Sequence, residues 1–178
     1  FPSIINAAKI LKSYTDVQWI ILGSGSKKQW VEQQVKDHSL EKCFHLLGSY
    51  PIEKMPIYYS NADCLLFSLK KEFIFSITIP AKVQTYLACA KPVLAMIDGE
   101  ASNLIKEADA GFTCPSGDSK SLVENIKKLR SKNLEQLEKI GQNGRKFYEK
   151  EFDRNVILKK VEKNINDMIE KNKNGTKT

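Results

Sequence analysis

Apolar residues recur at Ile4, Ala8 and Leu11, a helical spacing that starts almost at the first residue. The pattern then changes. Val17-Gln18-Trp19-Ile20-Ile21-Leu22 is a short, mostly apolar run that predicts a strand, and it ends in Gly23-Ser24-Gly25-Ser26. A helix is expected over 27–38, with Trp30, Val31 and Val35 inward. Residues 44–47 read as a second strand closed by Gly48, and 51–59 as a short helix. Residues 62–69 read as a third strand, apolar on both faces. After a loop come a helix over 81–89, a strand over 92–97, a helix over 101–108 and a short strand over 111–114. The remainder is helical. One stripe is Leu122, Ile126 and Leu129, with Asp118 placed to cap its helix. A second is Leu134, Leu137, Ile140 and Phe147, and a third is Ile157, Val161, Ile165 and Met168.

Strands that alternate with helices and are themselves nearly continuous apolar runs predict an α/β fold, with a parallel sheet covered on both faces. The 178 residues suit one domain, expected over 1–170, followed by a polar, disordered tail over 171–178. A start inside a helix, with no cap and no initiator Met, reads as a fragment. No internal repeat is found.

Composition narrows the class. Hydrophobic residues make up 42% and charged residues 28%, the balance of a soluble globular domain. No apolar run is long enough to cross a bilayer, and the first residues lack a signal-peptide pattern. Cys43, Cys64, Cys89 and Cys114 form no C-x-x-C pair and match no zinc ligand set, so reduced, buried thiols in a cytoplasmic protein are expected and no metal. The net charge is +7, with much of the excess in the last quarter at Lys159, Lys160 and Lys163. A solvated helix face accounts for it, with attraction to an anionic membrane surface the second reading. No basic stripe is interleaved with aromatics, so nucleic acid is not an expected partner.

Gly23-Ser24-Gly25 lies between a strand and a helix, where backbone N–H groups and a helix N-terminus can approach an anion. A third glycine would complete a dinucleotide fingerprint, but Lys28 stands there, so a tight turn without a ligand is an equal reading. His38 and His45 have neither metal spacing nor a nucleophile beside them and read as structural. The segment over 79–93 is the most informative. It places a helix start after Pro80, Lys82 in the first helical turn, and a strand that opens with Lys91-Pro92. Ligands of a parallel sheet gather at the carboxyl ends of its strands, where the loop over 68–79 and this helix N-terminus lie. Lys82 either meets an anion there or is solvated.

Read together with Gly48, Ala62-Asp63, Ser68 and Gly117-Asp118, this segment resembles the C-terminal domain of the group 1 glycosyltransferases (family 4, GT-B fold). The motif order agrees: the Gly-Ser-Gly turn, Leu46-Leu47-Gly48, a short helix, Asn61-Ala62-Asp63, and a strand ending in Ser68. After these come Tyr86-Leu87-Ala88-Cys89-Ala90-Lys91-Pro92-Val93, Ala110-Gly111-Phe112 and Ser116-Gly117-Asp118. Gly144-Arg145 and Phe152 fit the family's usual ending. The resemblance covers 4–165. Thr78-Ile79-Pro80-Ala81-Lys82-Val83-Gln84-Thr85-Tyr86 and Met96-Ile97-Asp98-Gly99-Glu100 look most similar to transferases of bacterial O-antigen and capsule assembly, including those that handle N-acetylated deoxy-amino sugars.

The resemblance implies a Rossmann-like parallel sheet flanked by helices, one half of a GT-B fold with C-terminal helices. It implies the donor-binding domain of a retaining glycosyltransferase. The donor would be a nucleotide diphosphate sugar, expected to be UDP-linked, and the acceptor a lipid-linked saccharide. No metal or other cofactor is implied, and the enzyme's N-terminal domain would be the partner. The setting would be cytoplasmic, with peripheral association at the inner membrane face. Gly23, Gly25, Gly48, Ser49, Tyr50, Ser68, Lys82 and Thr85 would line the donor.

Three departures stand out. The family's two glutamates, eight positions apart, map onto Ile77 and Thr85; Glu72 and Glu100 are the candidate replacements, with surface exposure the alternative for Glu72. The usual glycine before Lys-Pro is Ala90. The family's first strand, with the cations that clamp the diphosphate, would lie upstream of Phe1, so weak donor binding and no transfer by this chain alone are expected. A nucleotide-sugar epimerase and a non-catalytic nucleotide-binding α/β module are the alternatives. The scarcity of histidine disfavours the first, and the missing acidic pair favours the second.

Overall fold

The structure is a computed structural model and describes residues 1–175. Helix α1 (Pro2–Ile10) opens with proline in its first turn, where the absent N–H would have no intrahelical partner. It buries Ile4, Ile5, Ala7 and Ala8 on one face. Strand β1 (Trp19–Leu22) leads through the glycine turn into α2 (Lys28–Asp37). Strand β2 (Phe44–Gly48) leads through a 3-10 turn (Ile52–Lys54) into α3 (Met55–Asn61). Strand β3 (Leu65–Ser68) is followed by a single helical turn, α4 (Phe73–Ser76), and then by α5 (Ala81–Ala88). Strand β4 (Val93–Met96), α6 (Glu100–Glu107) and β5 (Gly111–Cys114) complete the alternation. Helices α7 (Ser119–Arg130), α8 (Leu134–Glu151) and α9 (Arg154–Gly175) follow.

All strand pairs are parallel, as the continuous apolar runs predict. The strands divide into two sheets, β1-β2 and β3-β4-β5. No strand among the described residues pairs with both β1 and β3, so the expected single sheet stands in two pieces. One core nevertheless serves both. Trp19 and Phe44 of the first sheet belong to the same buried cluster as Leu94, Met96 and Cys114 of the second. Ile5, Leu11, Leu40, Met96 and Leu122 are wholly enclosed, and each such side chain stabilises by about 1.5–3 kcal/mol. A second cluster lies under α5 and α6, built on Leu65, Val83, Leu87, Val93 and Ile105. Helix α8 packs on α5 at close range, because a Cβ at Gly141 would strike the Ala90 carbonyl.

Several local expectations need correction. Trp30 is exposed, because Val31 and Val35 one turn apart set the buried face of α2 and Trp30 lies about 100° away. Leu134, in the first turn of α8, is 71% exposed. The third strand starts only at Leu65, and the loop after it carries α4. The stripe on α9 exists, but Ile157, Val161, Ile165 and Met168 remain exposed, since nothing among the described residues covers that face. Helix α9 runs to Gly175, so residues 171–175 are helical where a disordered tail was expected. A polar composition without proline does not stop a helix. The expected tail over 176–178 lies outside the described residues. The four cysteines are unpaired; Cys43 and Cys114 are buried, and Cys64 and Cys89 are partly so.

Candidate functional site

Pairing is parallel within each sheet, so the segments after β1 and β2 leave from one edge of the first sheet and those after β3, β4 and β5 from one edge of the second. The carboxyl ends of the first sheet carry Gly23, Gly25, Gly48, Ser49 and Tyr50, and those of the second carry Ser68, Glu72, Lys82 and Glu100; Gly48 and Ser68 end their strands, and the others lie on connections or first turns. Hydrogen bonds tie neighbouring loops. Gly23 N–H donates to the Gly48 carbonyl at 2.7 Å, joining the turns after β1 and β2. Leu69 N–H donates to the Met96 carbonyl at 3.3 Å, and Ser116 N–H to Asp98 Oδ1 at 3.4 Å. Gly48 has φ +78 with open space beyond its Cα, so glycine is required there by conformation rather than by crowding.

Helix α2 follows the Gly-Ser-Gly turn, α5 follows Pro80 and α6 follows Gly99. None of the three has a side-chain cap on its N-terminus. By contrast Asp118 caps α7, accepting from Ser121 N–H at 3.0 Å, and Asn133 with Gln136 forms a capping box on α8. The strand edge thus presents free N–H groups and the positive ends of helix dipoles, an environment that favours an anion. Lys82 sits exposed in the first turn of α5, with no ion-pair partner among the described residues. A cation is electrostatically misplaced at a helix N-terminus unless an anion joins it. Thr85 is on the same helix, and its hydroxyl donates to the Ala81 carbonyl at 3.1 Å.

A cavity of about 190 Å³ opens beside these loops. Lys70, Lys71, Glu72 and Phe73 line it from the segment after β3, and Asp98 and Ser116 from those after β4 and β5. Glu72 is exposed there. Glu100, the first residue of α6, is exposed and outside this cavity, so the two candidate glutamates are not gathered into one pocket. Ser68 ends β3 half-buried, just before the lining begins. Tyr50 is exposed, and its ring lies 4.9 Å from that of Tyr58. A hydrogen bond from this contact holds the Tyr58 phenol above its ordinary range. Asp98 is the residue that sequence reasoning missed as a site. The signal was its place, a carboxylate two residues after the wholly buried strand β4 and directly before Gly99.

A wider groove, about 310 Å³, runs between α2 and β2 and includes Glu32, Lys36, His45 and Leu47. It gathers none of the expected site residues. His45 bonds to Gln18 at 2.7 Å, which agrees with a structural role. Among the described residues no group of three or more His, Cys, Asp or Glu is placed to hold a metal ion. No described helix is long and apolar enough to cross a membrane.

The family model described as "Glycosyl transferases group 1" matches residues 2–147. The chain is 27% identical over 140 residues to the probable glycosyltransferase WbjE of Pseudomonas aeruginosa, covering 76% of this chain and 34% of that protein. It is 30% identical over 113 residues to the capsular polysaccharide biosynthesis glycosyltransferase CapM of Staphylococcus aureus, covering 63% and 28%. The chain thus spans about a third of the length of the curated relatives it matches. Among solved structures, Anabaena HepE in complex with UDP superimposes with a TM-score of 0.77 at 19% identity, over 93% of this chain and 44% of that one. The C-terminal domain of a group 1 glycosyl transferase, LpcC of Francisella tularensis, gives 0.69 at 22% identity over 85% and 78%. The shared architecture is the Rossmann-like α/β half of the GT-B fold.

Proposed function

Because the chain belongs to the group 1 glycosyl transferases, we propose that it is the donor-binding domain of a retaining glycosyltransferase. The donor is a UDP-linked hexose or N-acetylhexosamine, and the acceptor a lipid-linked saccharide in polysaccharide or O-antigen assembly. The observation that carries this reading is the set of uncapped N-termini that follow β1, β3 and β4, those of α2, α5 and α6, with Lys82 in the first turn of α5. The UDP complex of HepE and the names of WbjE and CapM support it.

In this reading the diphosphate lies against those N–H groups and Lys82. As the bond from the anomeric carbon to the phosphate oxygen breaks, negative charge grows on the leaving diphosphate. Fixed dipoles and a cation already aimed there stabilise that charge without rearranging. Glu72, on the cavity, and Glu100, in the first turn of α6, are assigned to the sugar, Gly48, Ser49 and Tyr50 to the base, and Ser68 and Thr85 to the border of the donor. No metal is required. The acceptor and the N-terminal domain complete the cleft, so this chain alone transfers no sugar. The enzyme works in the cytoplasm. Lys159 and Lys163 on the face of α9 opposite its exposed apolar stripe, with Lys160 at the flank, support peripheral attachment to an anionic inner membrane.

The test uses the protein extended to the length of its relatives, supplied with a UDP-sugar and a lipid-linked saccharide. The proposal expects UDP release together with acceptor elongation. Ile77 and Thr85, in place of an acidic pair, favour a second reading, a non-catalytic nucleotide-binding module. UDP binding without transfer by that longer protein would select it.

A further inference from the structure

Asp98 stands at the carboxyl end of β4, and its Oδ1 accepts only a long hydrogen bond, 3.4 Å, from Ser116 N–H. Its Oδ2 is shut off from solvent and has no donor among the described residues. A carboxylate oxygen held this way is unfavourable until a hydrogen-bond donor reaches it. Asp98 also lines the 190 Å³ cavity, together with Lys70, Lys71 and Glu72. There the two lysines balance the two carboxylates, so the cavity has no net charge to offer a diphosphate. It suits a neutral, hydroxylated group instead. Its size, below the roughly 300–1,000 Å³ of pockets that enclose a drug-sized ligand, fits one ring and leaves a nucleotide outside.

The cavity wall is also fixed. A Cβ on Gly99, next to Asp98, would collide with the backbone of Ser76, so the segment after β3 is packed directly onto the β4–α6 turn.

We propose that Asp98 is a specificity-determining residue of the donor site. Its carboxylate accepts a hydrogen bond from a hydroxyl or amide N–H of the donor's sugar ring, seated in this cavity. It therefore selects sugars that carry such a group over deoxy sugars that lack it. This inference rests on the donor reading above. The terminal torsion of an aspartate is broad and two-fold, so the carboxylate turns toward the cavity by breaking only the long bond to Ser116.

The test is calorimetric titration of the protein extended to the length of its relatives, and of its Asp98→Ala and Asp98→Asn variants, with UDP, UDP-glucose and UDP-N-acetylglucosamine. At least one UDP-sugar should bind the unaltered, extended protein more tightly than UDP does. In Asp98→Ala, affinity for that sugar nucleotide should fall about 10- to 100-fold, while affinity for UDP stays the same. Should circular dichroism show Asp98→Ala unfolded, Asp98→Asn, which keeps the shape and an acceptor for Ser116, carries the comparison. Equal losses for UDP and UDP-sugar, or no loss in either, overturn the inference, as does a sugar that adds no affinity over UDP. Failure of the unaltered, extended protein to bind any of the three contradicts the donor reading itself, and the inference with it.

Discussion

Gly99 and Ser76 meet backbone to backbone: the position a Cβ would occupy on Gly99 is already filled by the Ser76 main chain. Gly99 also has φ +77, a conformation that L side chains rarely adopt. Gly99→Ala therefore combines overpacking with backbone strain, and is expected to destabilise by about 2–4 kcal/mol. It should also push residues 72–77 away from β4 and weaken UDP-sugar binding more than UDP binding. Urea unfolding and nucleotide titration check both; an unchanged midpoint would contradict the packing described.

Ala90 presents the opposite case. It follows the last turn of α5 with φ +54, the left-handed conformation in which helices usually end on glycine. An alanine there is strained by about 1–2 kcal/mol. Ala90→Gly is expected to stabilise by about 1 kcal/mol, the remainder being lost to the greater freedom of glycine in the unfolded chain. The urea midpoint should rise with an unchanged slope. A midpoint that falls would show that the methyl's packing outweighs the strain.

Burial, aided by the carboxylates of Asp118 and Asp98, pushes the Cys114 thiol up to about 11. Its ordinary value is 9.0. Above pH 9 the unfolded chain gives up this proton while the folded chain keeps it, so stability is full below pH 9 and declines toward pH 11. The loss over that window is about 2–3 kcal/mol. Urea titrations at pH 8 and 10.5 should show a smaller drop for Cys114→Ala than for the unaltered chain. At pH 8 a thiol reagent should leave Cys114 unmodified until the chain unfolds.

Helix α9 carries Lys159, Lys160 and Lys163 and an exposed stripe of Ile157, Val161 and Ile165. The chain is expected to sediment with vesicles containing anionic lipid at low salt and to be released as salt rises. Val161→Asp should weaken the association several-fold. Equal sedimentation with neutral vesicles, or none with anionic ones, would remove the membrane from the account.

Much of the fold was legible because its signals are local. Apolar runs such as Val93 to Met96, short and bounded by Pro92 and Gly99, fit interior parallel strands, and Asp118 caps α7 as its place before an apolar stripe predicts. Ordered motifs identified the family without any single strong one. What failed depends on neighbours distant in sequence. Trp30 fits a helical stripe, yet the face of α2 is chosen by what Val31 and Val35 pack against. The α9 stripe reads as core and is exposed. Division into two sheets depends on which edges pair, which periodicity does not encode. Glu72 and Glu100 are the acids that the sequence offers near the expected sugar, but only the fold shows that Glu72 shares its cavity with Asp98 and that Glu100 does not.

The proposed diphosphate site is formed by the uncapped helix termini together with Lys82. Its most direct test is ligand-observed NMR on this chain with UDP, GDP and ADP, repeated with Lys82→Ala. Selective binding of UDP is expected, weakened by that change, with the fold intact. UDP binding that Lys82→Ala leaves untouched, or no preference among the three nucleotides, would contradict it.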